Sequence, residues 1–254
     1  LRLGENQNLV LSAELEELFT ELAGFMLENN TREVPLDDLQ SYAALVLSNG
    51  TQPEVVKRLP ALCGLDSRET TIKCFQFAHE VFFDFFVGRY LADRATDPAA
   101  LRTKLSRYKL TMSAARVIWS RASLSPQVLE RFTNGWDTPL PANVGLLWTR
   151  LFAAKMQIDQ VQIRRVRFDE EVDLSSAQIG ALSFIECKFN QLTLPLRPPH
   201  DLRLLDCEIV DLKLSGDCKG VRLERSRINT LLAGILMITI LWSINLRIMG
   251  KPNV

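Results

Sequence analysis

The densest chemical signal in the chain is the run IKCFQFAHEVFFDFFVGRYLA over 72–92, with His79 at its centre. Ile72, Cys74 and Gln76 alternate with Lys73, Phe75 and Phe77, which predicts a short strand. From His79 the run reads as a helix, with Phe82, Phe86 and Tyr90 on one stripe and Phe83 beside them. A helix this aromatic on more than one side is expected to be buried by its neighbours. A histidine in the first turn of a helix adds an imidazole donor to free N–H groups that already favour anions, so phosphate contact is chemistry open to His79. The other reading is a buried structural histidine that caps its own helix.

Little else in the sequence offers chemistry. The cysteines at 63, 74, 187, 207 and 218 form no CxxC pair, and the two histidines, His79 and His200, stand far apart. Zinc and disulfide readings are both poor, no metal site is expected, and reduced cytosolic thiols fit better. No GxxxxGK followed by Ser or Thr occurs, no strand ends in acids that could hold Mg²⁺, and no nucleophile–base set is visible. The chain by itself is not expected to be an enzyme, and no catalytic residue is assigned.

The pattern F-x-F-x-H-x-x-F-x-x-F-x-x-x-x-Y-L resembles the winged-helix region of STAND-class NTPases of the NACHT group. There the motif reads roughly y-x-F-x-H-x-s-f-q-E-y-f-A-A-x-y-L, which maps onto Phe75, Phe77, His79, Phe83, Asp84, Phe85, Phe86 and Leu91. The resemblance covers residues 11–95, with Asp84 where the group usually has Glu and Gly88 where it usually has Ala. It implies that His79 reaches the β-phosphate of bound ADP and helps to hold a closed, resting state. The cofactor, ADP or ATP, would be held only together with an upstream nucleotide-binding domain, and none is expected for this chain alone. The parent protein would then be an ATPase that oligomerises on activation. Residue 1 is Leu, and the chain reads as a piece of something longer.

The elements that must position His79 are legible. Residues 11–29 place apolar residues at 15, 18, 19, 22, 25 and 26, the spacing of an amphipathic helix with Ser12 as N-cap. Pro35 precedes a second helix, LDDLQSYAALVL, with Asn49-Gly50 as its stop, and a third short helix is expected over 53–62 from Pro53. Residues 97–155 are helical in outline, with Asp97-Pro98 and Ser125-Pro126 as N-cap pairs. Pro139 and Pro141 mark a linker before a helix carrying Trp148, Leu151 and Phe152.

From Met156 the chain keeps a phase of five: MQIDQ, VQIRR, VRFDE, then after one extra residue VDLSS, AQIGA, LSFIE, CKFNQ, LTLPL, and after a degenerate RPPHD the units LRLLD, CEIVD and LKLSG. It slips once and returns as VRLER and SRINT. The third position is large and apolar, from Ile158 to Ile228, and the first is small or apolar, as in Val166, Cys187, Cys207 and Ser226. This is similar to the pentapeptide-repeat pattern, A-(D/N)-L-x-x, in which four units form one square coil. Cys187 and Cys207 should then stack in successive coils as small apolar fillers. A hairpin meander would also alternate, but it gives no reason for a phase held at five.

The 254 residues carry 30 basic and 30 acidic side chains, 47% apolar residues, 12 Gly and 11 Pro, which implies two or three packed units and excludes wholesale disorder. Neutrality argues against nucleic acid as a partner. Ten acids against Arg32 alone over 5–56, and seven bases against Glu130 alone over 101–131, read as solvated helix faces or as complementary surfaces. Residues 159–227 hold eleven bases and twelve acids, which argues against mimicry of DNA. Finally, 228–246 is a nineteen-residue run without a charge, flanked by Arg225, Arg227, Arg247 and Lys251. It reads either as a single membrane span or as an apolar cap on the open end of the solenoid.

The expected architecture is therefore multidomain α plus β: an all-α/winged-helix N-terminal half, a right-handed pentapeptide-repeat β-solenoid, and an apolar C-terminal helix. The boundaries are 1–95 winged-helix-like, 96–155 helical, 156–230 solenoid and 231–254 tail. The function expected is the C-terminal part of a cytoplasmic NACHT/STAND signalling NTPase, with a protein partner or ligand on the solenoid surface and a membrane reached through residues 228–246. The alternative is a non-catalytic, membrane-anchored pentapeptide-repeat scaffold.

Overall fold

The computed structural model describes residues 12–48, 55, 58, 65–68, 73–122, 124–132, 138–154, 157–195, 201–214 and 220–233. The chain divides into two compact units, with the division between Thr96 and Asp97.

In the first unit the order of elements is α1 (Ser12–Glu28), β1 (Val34–Pro35), α2 (Leu36–Val46), β2 (Leu65–Arg68), β3 (Cys74–Phe77) and α3 (Glu80–Asp93). The strand expected at 72–77 is present as β3, and β1 and β2 flank it in a small antiparallel sheet of order β1–β3–β2. The N-terminal half thus holds a sheet as well as helices. Of the helix expected over 53–62, only Val55 and Arg58 are described, both helical, and its Asn49-Gly50 neighbour lies outside the described residues. Alternation along β3 turns Phe75 and Phe77 inward, at 1% and 8% exposure. Leu18, Leu22, Ala23 and Met26 of α1 are fully buried. The Phe77 ring stacks on Phe86 at 5.8 Å and meets Phe19 and Phe83 edge-on at 6.2 and 5.9 Å. Between α1 and α3, Glu16 pairs with Arg89 and Glu21 pairs with Arg94.

The expectation that neighbours bury this aromatic helix, with Phe82 on the stripe of Phe86 and Tyr90, is corrected in part. Phe83, Phe86, Val87, Tyr90 and Leu91 are buried, whereas Val81, Phe82 and Phe85 are 69%, 50% and 40% exposed. The physical reason is the period of the helix. Steps of three and four from Phe83 keep to the face that meets α1 and β3, and Phe82 lies off that stripe.

In the second unit, α4 (Pro98–Arg107), α5 (Met112–Arg121), α6 (Pro126–Glu130) and α7 (Leu140–Ala153) precede a β-solenoid of about three turns. Both expected N-caps are made: Asp97 Oδ1 accepts from the Ala99 and Ala100 amides, and Ser125 Oγ accepts from Val128. Pro141 stands in the first turn of α7, a position that tolerates it, so the expected linker is shorter than read. Asn143, fully buried, ties α7 to the α4–α5 connection. Its Oδ1 accepts the Leu110 N–H at 2.8 Å, and its Nδ2 donates to the Leu105 and Tyr108 carbonyls.

The solenoid strands are β4 (Gln157–Ile158), β5 (Val161–Arg164), β6 (Arg167–Asp173), β7 (Gln178–Ile179), β8 (Ala181–Ile185), β9 (Lys188–Thr193), β10 (Asp201–Leu205), β11 (Glu208–Leu214), β12 (Val221–Glu224) and β13 (Arg227–Ala233). They pair in parallel, in sheets ordered β12–β10–β8–β5 and β13–β11–β9–β6, with β4 beside β7. Successive coils place Ile163 opposite Phe184 (21 residues on), Phe184 opposite Leu204 (20) and Leu204 opposite Leu223 (19). The extra residue is accommodated by a bulge between Phe168 and Glu171. The slipped turn, with Cys218, lies outside the described residues, as does most of the degenerate unit with His200. Third-position residues fill the interior: Phe168 stacks on Phe189 at 4.7 Å, and Phe184 meets both rings edge-on.

The uncharged run over 228–246 begins inside this sheet. Ile228–Ala233 is paired with β11, from Ile228 opposite Ile209 to Ala233 opposite Leu214. The remainder lies outside the described residues, and among the described residues no helix is long and apolar enough to cross a membrane.

Candidate functional sites

His79 occupies the N-cap position of α3, with an extended backbone at φ −132° and ψ 135°. Strand β3 ends two residues earlier, so the sheet aims the start of α3. The side chain makes no capping bond and is exposed, with its ring 5.8 Å from that of Phe82. The reading of a buried, self-capping histidine is therefore excluded, and the imidazole is uncommitted to its own helix. Beside it, Arg32, Gln76, Phe77, Glu80 and Phe83 line a groove. Arg32 lies over the Phe83 ring at 4.0 Å and 3.5 Å from the Glu80 carboxylate. Glu80 in the first turn favours the helix but opposes a second anion, and Arg32 offsets that charge. An imidazole and a guanidinium can each donate a hydrogen bond to a phosphate oxygen. His79 and Arg32 do not form a cradle that would hold a nucleotide unaided.

Asp84 and Gly88, at the two positions where the motif departs from the NACHT pattern, are both buried in α3. Among the described residues no group of three His, Cys, Asp or Glu could hold a metal ion.

On the solenoid, Val166, Cys187, Cys207 and Ser226 form an inward column, one per coil, each at most 8% exposed. Burial pushes the Cys187 thiol well up, which leaves it protonated and a poor nucleophile. At one corner of each coil the chain turns at the fifth position of a unit. Arg165, Glu186, Asp206 and Arg225 all have φ between 49° and 53°. None is glycine, and each holds the left-handed conformation at some cost in backbone energy. Their side chains form ion pairs between coils: Arg165 with Glu186 at 2.7 Å, and Arg225 with both oxygens of Asp206 at 2.7 and 2.8 Å. The bond from Arg225 holds the Asp206 carboxyl below the usual range, and the bond from Arg203 does the same for Asp201. Beside this corner a groove is lined by Arg167, Asp169, Lys188, Asn190, Glu208 and Val210, with Val210 43% exposed.

Sequence reasoning found His79 and the two thiols but missed the corner. Its only signal was a polar residue recurring at the fifth position. No family model matches the chain, and no curated protein compared with it matches.

Proposed function

We propose that the first unit is the winged-helix switch region of a NACHT/STAND-type signalling NTPase, and that the pentapeptide-repeat solenoid is its sensing or partner surface. The observation that carries this reading is the uncommitted imidazole of His79 at the N-terminus of α3. The order α1–β1–α2–β2–β3–α3, with helical residues Val55 and Arg58 between α2 and β2, and the sheet order β1–β3–β2 support a winged helix. In this reading His79 would donate a hydrogen bond to a phosphate of ADP, and the nucleotide would be held by a core outside these 254 residues. That bond exists only in the closed state, so it weights the population toward quiescence. A ligand that prefers the open state shifts it back. The sequence contains no GxxxxGK followed by Ser or Thr, and in this reading ATP turnover and oligomerisation belong to the assembled parent.

The upstream coding sequence is the first test. A strand–loop–helix carrying GxxxxGK followed by Ser or Thr supports the reading, and an upstream sequence lacking one overturns it in favour of a scaffold. The scaffold reading draws on the solenoid together with helices α4–α7, which form a compact unit separate from the first.

A further inference from the structure

Among the described residues, the two ends of the solenoid are finished differently. At the first coil, β5 and β6 are the edge strands, and helices close them. The Glu130 carboxylate accepts the Gln162 N–H at 2.9 Å. Helix α7 lies so close that a Cβ on Gly145 would stand 2.1 Å from the Arg167 carbonyl oxygen. It turns Leu147, Trp148, Leu151 and Phe152 inward, each at most 1% exposed, and the Phe152 ring meets Phe184 at 6.1 Å.

At the last coil, β12 and β13 are the edge strands, and among the described residues no strand pairs with their outer edge. Such an edge presents unpaired N–H and C=O groups next to the final apolar layer, here Val221, Leu223 and Ile228. A solenoid end in this state requires a cover.

The chain carries a matching segment. Six of the nineteen uncharged residues over 228–246 are consumed by β13, which leaves 234–246 before Arg247. Thirteen residues reach only about 20 Å even as a helix, against a hydrocarbon core of about 30 Å. Nine of the thirteen are Ile, Leu, Met or Trp. A segment so apolar and too short to span needs a protein surface, and the nearest one begins at Ala233. The geometry points to the open edge of β12–β13 as a docking surface whose occupant is this chain's own segment 234–246. It would cover that edge as α7 covers β5 and β6. This inference is independent of the nucleotide reading.

The test uses the full chain, the Ile240→Glu variant and the milder Ile240→Ala variant, purified without detergent. Hydrogen exchange is measured in residues 221–233 and, as an internal control, in 182–193. The expected result is a monomer that stays in the supernatant with phosphatidylcholine–phosphatidylglycerol vesicles. In both variants the last coil should exchange faster, at least tenfold in Ile240→Glu, while residues 182–193 are unchanged. If Ile240→Glu fails to fold, Ile240→Ala carries the comparison. Exchange in the last coil that is indifferent to both variants would overturn the proposal. So would sedimentation with the vesicles, which assigns the segment to a membrane, or protection that disappears on dilution of a dimer, which assigns the edge to a second copy.

Discussion

Cys207 stands one coil above Cys187 and repeats its bonding. The Cys187 thiol donates to the Ile163 carbonyl at 3.3 Å, and the Cys207 thiol donates to the Phe184 carbonyl, one coil on, at 3.4 Å. Ser226 continues the series, its hydroxyl donating to Leu204 at 3.0 Å while accepting the Cys207 N–H. From Cys187 to Ser226 the column is thus a ladder of side-chain donors to the carbonyls of the preceding coil.

If the ladder matters more than the sulfur, Cys207→Ser should be tolerated better than Cys207→Ala. The hydroxyl finds the Phe184 and Leu205 carbonyls that the thiol already meets, equivalent to the pair that Ser226 uses in the next coil. Alanine leaves the corner short of a donor and slightly underfilled, for a loss of about 1–2 kcal/mol. Urea unfolding of both variants measures the difference, and equal losses would deny the ladder a role.

The corner ion pairs predict an acid response with a defined sign. Because Arg225 depresses the folded-state titration of Asp206, the pair stabilises the fold above the ordinary carboxylate range, and that contribution is lost as pH falls through the depressed value. In carboxyl-carbon NMR titrations, Arg225→Gln should raise the Asp206 midpoint and leave that of Asp201, held by Arg203, unchanged. Molar salt should weaken the same shift, since both partners face solvent.

Gly145 tests how closely α7 is laid on the solenoid. Its nearest neighbour is backbone, so Gly145→Ala cannot be absorbed by a side-chain rotation. The variant should lose about 1–3 kcal/mol in the second unit. The unfolding of the first unit, followed by exchange in α1 and α3, should be unaffected.

These relationships divide into those legible in the sequence and those that were not. The interior of the solenoid was legible because a large residue at the third position of each unit, from Ile158 to Ile228, cannot be hidden by neighbouring variation. The extra residue near Glu171 was visible as a break in phase and appears as a bulge. The left-handed corners were not legible, because Arg165, Glu186, Asp206 and Arg225 look like ordinary solvated charges and only coordinates reveal their positive φ. The inward face of α3 was misread by one position, since eight aromatic or apolar neighbours between Val81 and Leu91 leave no polar stripe to orient the helix. For the same reason the exposure of His79 could not be foreseen. Its place at the start of α3 followed from sequence, but its freedom from capping did not.

That freedom allows stability and function to be separated. The His79 side chain is exposed and makes no capping bond to α3, and its backbone carbonyl keeps its bonds from Phe82 and Phe83 in any variant, so His79→Ala should change the stability of the chain by no more than about 0.5 kcal/mol. Thermal unfolding of the two proteins checks this, and a larger loss would return His79 to a structural role.

The most direct measurement is the nucleotide content of the parent protein, this chain joined to its upstream coding sequence, purified as wild type and as His79→Ala and assayed after denaturation. The switch mechanism predicts about one ADP per wild-type chain and a several-fold lower content in a variant that unfolds at the same temperature. Equal ADP in the two proteins, or none in either, would contradict it.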